Sequence, residues 1–152
     1  MLKIGDIAPD FCLKNQDDIE MHLKDLGSKT IILYFYPRDN TPGCTLEGRD
    51  FSALLGEFEE CDAVVIGVSP DSTKSHRNFI EKQQLQHVLL SDPDKKVASS
   101  YGAYGKKMMY GKEVFGIIRS TFIIKDKKIQ HAFYNVKTKG HAQSILDILK
   151  NQ

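Results

Sequence analysis

Residues 30–50 read TIILYFYPRDNTPGCTLEGRD, and this stretch decides the fold. Its first part, TIILYFYP at 30–37, is continuously apolar and β-prone, which predicts a central strand covered on both faces. The part that follows the turn has large apolar residues three or four positions apart, which predicts one helix over 42–60. AVVIGVSP at 63–70 has the same character as the first strand. The three segments therefore predict a β-α-β unit with a parallel strand pair.

The remaining segments continue the alternation of strands and helices. They are a leading hairpin within APDFCLKNQDDIEMHLKDL, a helix capped by Asp71 or Ser72 and reaching Gln83, a strand at 87–92, a helical stretch from Asp92 to about Tyr101, a hairpin at 119–136 that turns near Asp126-Lys127, and a final helix with Ala142, Ile145, Leu146 and Leu149 on one face. This order predicts a layered α/β/α sheet. It is compatible with a thioredoxin-like fold and with other α/β sandwiches.

The composition indicates one globular domain over residues 1–152. With 41% hydrophobic residues, 27% charged residues and a net charge of +1, the chain has no large field that would attract nucleic acid or an anionic membrane. No apolar run approaches the roughly 18 residues of a membrane span, and no signal peptide is apparent. The three cysteines are too few and too scattered for a disulfide framework, so we expect a reducing, cytoplasmic setting.

Cys44 follows the central strand directly, at the start of the next helix, which is where open α/β sheets place functional groups. Pro42 suits the first helical turn, Thr41 suits the cap before it, and the unpaired N–H groups of that turn favour an anion such as a thiolate. A buried and chemically inert cysteine is the alternative interpretation. Position alone leaves both open.

Spacing weighs against three other cysteine chemistries. A dithiol redox site needs Cys-x-x-Cys, whose first position is Thr41 in this chain. A cysteine phosphatase loop needs five residues between cysteine and arginine, whereas only four separate Cys44 from Arg49. Neither the cysteines nor the histidines show the close pairing of zinc sites, so no metal is expected. A solitary activated thiolate is the chemical interpretation that remains.

The whole chain resembles the peroxiredoxins. FYPRDNTPGCT at 35–45 is similar to their active-site motif, Pro-x-x-x-Thr/Ser-x-x-Cys, in the form typical of the bacterioferritin comigratory protein or peroxiredoxin Q branch. Further matches follow in the order of that branch: APDF, VIGVSPDS, KSHRNF, LLSDPDK and MYGKEVFGIIRSTFII. The resemblance implies a thioredoxin-like α/β/α sandwich with a central mixed sheet and an N-terminal β-hairpin. It also implies a peroxidase that reduces hydrogen peroxide and organic hydroperoxides, without a metal or organic cofactor.

The resemblance also assigns roles to individual residues. It implies that Cys44 is the peroxidatic cysteine, that the Thr41 hydroxyl contacts the peroxide, and that the Arg119 guanidinium lies beside the thiolate. The pocket would be shaped by Pro37, Pro42 and Gly43. Glu47 stands one helical turn after Cys44, where it could orient Arg119 or simply favour the helix start through its charge.

The chain departs from this branch at the resolving step. A second cysteine is commonly found five positions after the first or in the following helix, but Arg49 and Ile80 hold those places. A straight helix over 42–60 would span about 27 Å, so Cys61 could reach Cys44 only after substantial unfolding. We therefore expect a one-cysteine mechanism in a monomer, with thioredoxin, glutaredoxin or glutathione as the reductant. A resolving role for Cys61 or Cys12 stays open, as does a non-catalytic redox sensor that uses the same Cys44.

Two further features of the sequence are the segment 106–116 and the histidines. KKMMYGKEVFG at 106–116 is interpreted either as a plain surface loop or as a loop that rims the pocket, with Phe115 or the methionines as apolar walls. The five histidines show no catalytic spacing, and they are expected to be surface or packing residues.

Overall fold

The computed structural model describes all 152 residues, and a seven-stranded mixed sheet forms its centre. The strands are β1 (Cys12–Asn15), β2 (Glu20–His22), β3 (Thr30–Phe35), β4 (Ala63–Ser69), β5 (Val88–Ser91), β8 (Ser120–Lys125) and β9 (Lys128–Tyr134), and a separate two-stranded sheet contains β6 (Tyr104–Met109) and β7 (Lys112–Ile117). The helices are α1 (Pro42–Ala53), α2 (Leu55–Glu60), α3 (Thr73–Gln83), α4 (Lys96–Ser100) and α5 (His141–Lys150), with a 3-10 turn at Leu23–Leu26.

The strand order β2-β1-β5-β4-β3-β8-β9 places β3 deep within the sheet, with β4 parallel on one side and β8 antiparallel on the other. All six residues of β3 are buried, as its continuous apolar sequence predicts. The predicted central mixed sheet and N-terminal hairpin are therefore confirmed.

The two faces of β3 belong to two separate parts of the core. Ile31, Leu33 and Phe35 pack in a cluster that includes residues of α4 and of the N-terminal segment. Ile32 and Tyr34 point the other way, into a cluster built with α1, α2, α3 and α5. Helices thus cover both faces of the sheet, and α1, which carries Cys44, packs directly on the central strand.

The predicted single helix over 42–60 is wrong, because the chain turns at Leu54. Its backbone, at φ −98° and ψ 4°, interrupts the helical ladder, and its N–H is shared between the carbonyls of Asp50 and Phe51, at 3.2 Å each. The other predicted helices are found, although the one predicted from Asp92 begins only at Lys96. Ser72 rather than Asp71 caps α3 by accepting a hydrogen bond from the N–H of Ser75.

The predicted loop at 106–116 is also wrong, since this segment forms the hairpin β6–β7, which turns at Tyr110-Gly111. Cross-strand pairing brings Lys106 opposite Phe115 and Lys107 opposite Val114, so these two pairs lie on opposite faces. None of the helices is long enough to cross a lipid bilayer, since the longest has 12 residues.

Gly67 in β4 provides a test of how tightly the neighbouring side chains of β3 and β5 pack over this strand. A Cβ at this position would lie 2.7 Å from Cζ of Tyr34 and 2.8 Å from Cδ2 of Leu89. We expect Gly67→Ala to lower the free energy of unfolding by about 1–3 kcal/mol through overpacking, as measured by urea denaturation. Gly56→Ala is the matched control, because a Cβ in α2 meets nothing within 4 Å and should raise stability by at most about 1 kcal/mol. Equal effects of the two substitutions would contradict this account.

Candidate active site

Cys44 is the third residue of α1 and lies just beyond the carboxyl end of β3, where its side chain is almost fully buried. The antiparallel pairing of Phe35 with Ser120 brings the residue before β8 to the same edge of the sheet. That residue is Arg119. Sheet topology therefore joins two side chains that are 75 positions apart in sequence.

The guanidinium of Arg119 bridges the cysteine and a carboxylate. Its Nη2 donates to Sγ of Cys44 at 3.2 Å, and its Nη1 donates to Oε1 of Glu47 at 2.6 Å. One turn of α1 separates Cys44 from Glu47, so both side chains face the same partner. Because a cation contacts the sulfur, the interpretation of Cys44 as an inert core cysteine is not supported.

The first turn of α1 presents two unpaired donors near the sulfur. The backbone N–H groups of Gly43 and Cys44 have no acceptor in the protein, as is usual for a first helical turn. Thr41 occupies the N-cap position, but the predicted cap by its side chain is wrong, since its hydroxyl donates to the carbonyl of Arg38 at 2.9 Å. The N–H groups of the first turn are consequently left available to a ligand.

The residues expected to shape the pocket lie around this turn. Pro42 is the first residue of α1, and Pro37 is half-buried in the loop after β3. A Cβ on Gly43 would stand 3.4 Å from Nη2 of Arg119, so the guanidinium lies directly against the helix start.

Burial sets the electrostatics of Glu47. Desolvation raises the pKa of its carboxyl to about 7, although the charge and the hydrogen bond of Arg119 act in the opposite direction. Its second oxygen, Oε2, is buried without any hydrogen-bond partner. Burial tends to lower the pKa of Arg119, but Glu47 and Cys44 outweigh it and raise this pKa above its ordinary value. The guanidinium is therefore a permanent positive charge between two acidic groups.

A buried polar network anchors the loop that precedes Thr41. Asp39 accepts hydrogen bonds from the hydroxyls of Tyr36 and Ser75, at 2.6 and 2.8 Å, and faces Nδ1 of His76 at 2.8 Å. The N–H of Asp39 donates to Oδ2 of Asp71 at 2.8 Å. The loop is thereby tied to α3 and to the segment after β4.

His76 contributes more to this network than a packing residue would. It is fully buried, and its Nε2 donates to the carbonyl of Leu90 at 2.9 Å, so the ring connects β5 to Asp39. Sequence reasoning missed this role, because 37 residues separate the histidine from the aspartate. The signal available was that both residues lie within segments that carry the family resemblance, YPRD and KSHRNF.

The hairpin β6–β7 contacts the site through one lysine. Lys107 donates from Nζ to the carbonyl of Ile117 at 2.8 Å, two residues before Arg119. Phe115 lies on the opposite face of the hairpin, exposed and 6.0 Å from the ammonium of Lys106. Phe115 is therefore not placed as an apolar wall of the cysteine site.

The other two cysteines lie far from Cys44. Cys61 precedes β4 at the amino end of the parallel strands, so the length of the sheet separates it from Cys44. Cys12 lies in β1, three strands away from β3, which is about 14 Å at the usual strand spacing. Disulfide formation needs Cα atoms within about 7 Å, so neither cysteine can reach Cys44 without a large movement of the backbone.

A thioredoxin-like sheet with an arginine-paired cysteine at a helix start defines the class of thiol peroxidases, and comparisons with known proteins agree. The AhpC/TSA family model matches residues 4–132. A Helicobacter pylori (strain J99) protein named among the bcp peroxiredoxins is 60% identical over 149 residues, which cover 97% of this chain and 98% of that protein. Peroxiredoxin Bcp of Bacillus subtilis (strain 168) is 44% identical over 99% of this chain and 96% of its own length.

Solved structures give the same result. The Xanthomonas campestris bacterioferritin comigratory protein superposes on this chain with a TM-score of 0.87. Structures of its trapped intermediate and ligand complexes were used to study its alkyl peroxide reduction activity. It is 41% identical, and the match covers 93% of this chain and 90% of that chain. The chain belongs to the AhpC/TSA family of peroxiredoxins, in the bacterioferritin comigratory protein or peroxiredoxin Q branch, and it is a thiol-dependent peroxidase. This membership favours catalysis over the redox-sensor alternative.

The raised pKa of Glu47 predicts a pH-dependent stability. The folded protein keeps this proton between about pH 4.5 and pH 7, where an unfolded chain has released it, so the stabilisation is present below that window and is lost as the pH rises through 7. A pKa of about 7 instead of 4.5 corresponds to about 3 kcal/mol. We therefore compare the unfolding free energy of Glu47→Gln with that of the unmodified protein. When the pH is raised from about 5 to about 8, this difference should shift by about 2–3 kcal/mol in favour of the variant.

Urea denaturation at both pH values measures this difference. Glu57→Gln is the control, because Glu57 is a half-exposed carboxylate paired with Lys150 at 2.8 Å, and its substitution should have the same effect at both pH values. If the difference in unfolding free energy between Glu47→Gln and the unmodified protein were also independent of pH, the raised pKa of Glu47 would be disproved.

Proposed function

We propose that this peroxiredoxin works by a one-cysteine mechanism in which Cys44 is the only cysteine that changes its bonding during turnover. The thiolate attacks one oxygen of the hydroperoxide, the O–O bond breaks, and the leaving oxygen takes up a proton to become water or an alcohol. Cys44 is left as a sulfenic acid. An external thiol then attacks this sulfur and releases water, and a second thiol resolves the mixed disulfide. The observation that carries the proposal is the separation of Cys12 and Cys61 from Cys44.

Each residue of the site has a physical role in this reaction. Arg119 stabilises the thiolate, for which a charge-assisted hydrogen bond contributes about 1.5–3 kcal/mol and the helix start about 0.3–1 kcal/mol. The Thr41 hydroxyl and the N–H groups of Gly43 and Cys44 hold the peroxide and stabilise charge on the leaving oxygen. Pro37 and Pro42 shape the rim, and Glu47 orients the guanidinium.

The physiological setting follows from the same features. We propose that residues 1–152 function as one thioredoxin-fold domain in the cytoplasm, because free thiols that are not paired in disulfides are typical of a reducing compartment. The reductant is thioredoxin, glutaredoxin or glutathione. A monomer is sufficient, since every proposed site residue comes from one chain.

Non-reducing mass spectrometry after one equivalent of peroxide tests the one-cysteine mechanism. We expect a sulfenic acid on Cys44, trapped by a sulfenic-acid reagent, and no internal disulfide. The double variant Cys12→Ser/Cys61→Ser should retain its turnover with the best of the three reductants. A disulfide between Cys44 and either of the other cysteines, together with loss of turnover in the double variant, would overturn the proposal.

The role of Thr41 is tested by Thr41→Val, which removes the hydroxyl and keeps the shape of the side chain. We expect the rate of peroxide reduction to fall by about 10²- to 10³-fold, as for loss of one preorganised donor, while the ionised fraction of Cys44 changes little. Stopped-flow kinetics and thiolate absorbance measure the two quantities on the same variant. Thr45→Val, on the outer surface of α1, is the control. A rate loss that the change in ionisation fully explains would contradict the assigned role.

A further inference from the structure

The outer face of the N-terminal hairpin gathers three side chains that the peroxidase reaction does not use. The thiol of Cys12, the imidazole of His22 and the carboxylate of Glu20 each place a ligand atom within 4.8 Å of the other two. The sequence does not reveal this group, because its members lie on two strands. Strand pairing, not spacing along the chain, brings them together.

The register of the hairpin explains the convergence. Cys12 and His22 are directly opposite partners in the antiparallel pair β1–β2, so their side chains lie on the same face. Glu20 is two residues before His22 and therefore shares that face. Leu13 and Met21 point the other way and pack against the core. Pairing of β1 with β5 fixes the backbone that carries the cysteine.

We propose that Cys12, His22 and Glu20 bind one zinc ion, with water as the fourth ligand. Thiolate, imidazole and carboxylate are the three ligand types that zinc takes from proteins, at bond lengths of about 2.0–2.3 Å. In a tetrahedron with such bonds the ligand atoms lie about 3.3–3.8 Å apart. Distances of up to 4.8 Å can close to these values through side-chain rotation alone.

The surroundings of the three ligands favour a cation. Asp10 and Asp25 are near enough to act electrostatically on the Cys12 thiol. Lys14 lies directly opposite Glu20 on the same face, but its ammonium forms no ion pair with that carboxylate. His22 does not use its side chain to cap the 3-10 turn that follows it.

A second group of possible ligands differs from the first, because its members are bound to polar atoms outside the group. Asp39, Asp71 and His76 also converge, but each already has partners within the protein. Oδ2 of Asp71 accepts hydrogen bonds from the N–H of Asp39 and from the hydroxyl of Ser69, at 2.8 and 2.7 Å. These atoms stabilise the active-site loop and are not available to a metal.

Zinc at the hairpin would have two consequences for the chain. It would tie the short edge strand β2 to β1, and it would hold the Cys12 thiol as a metal-bound thiolate that is less available for disulfide exchange. The proposal does not depend on the one-cysteine mechanism, because metal binding is measured without turnover.

Cobalt(II) provides the most direct probe, since a thiolate bound to cobalt gives a charge-transfer absorption band in the near ultraviolet. The titration uses the full chain with Cys44→Ser, so that the active-site thiol cannot contribute. We expect the band to saturate at one equivalent of cobalt and to be displaced by zinc. Adding Cys12→Ser should abolish it, whereas adding Cys61→Ser should leave it unchanged.

Zinc affinity and thermal stability complete the test. His22→Gln should weaken zinc binding by more than the roughly 10- to 100-fold that loss of an outer-sphere partner costs, and Glu20→Gln should weaken it to a smaller extent. Zinc should raise the unfolding temperature of the protein with its native hairpin, but not that of the Cys12→Ser variant. A cobalt band that survives Cys12→Ser, or zinc affinity that is unaffected by His22→Gln, would overturn the proposal.

Discussion

The active site depends on one guanidinium shared between two acidic groups. Arg119 reaches the sulfur of Cys44 and the carboxylate of Glu47 at the same time, with 17% of its side chain exposed to solvent. Since arginine stays protonated throughout the physiological range, the sulfur always faces a positive charge. The planar fork of donors also fixes the direction from which this charge acts, which a lysine could not do.

The rest of the fold holds this contact in place from two directions. From one side, the pairing of β8 with β3 delivers Arg119 to the end of the central strand. From the other side, the network of Asp39 and His76 anchors the loop from which α1 starts. The positions of the sulfur and the guanidinium are therefore set by different parts of the structure, and the 3.2 Å contact results only where both are formed.

The sequence predicts the part of this arrangement that depends on local patterns. The apolar run of β3, the helix that begins at Pro42 and the turn at Asp126-Lys127, where both residues have positive φ, all follow from residue type. The contact of Cys44 with Arg119 does not follow from residue type, because it depends on the long-range antiparallel pairing of β8 with β3. Only the family motif indicated Arg119. The contacts of His76 could not be predicted for a similar reason, since they join residues that are far apart in sequence. The break at Leu54 has no signal in the apolar spacing that predicted one continuous helix.

The buried carboxylate of Glu47 lowers the stability of the folded protein when it is ionised. An ionised carboxylate with one oxygen unpartnered in the core costs more through desolvation than its single bond to Arg119 returns, which is why its pKa lies near 7. An apolar residue would pack there at lower cost, but it would leave the guanidinium free to turn away from the sulfur. The proposed role of Glu47, which is to direct Arg119 towards the sulfur, would explain why a carboxylate with this cost stands at a buried position.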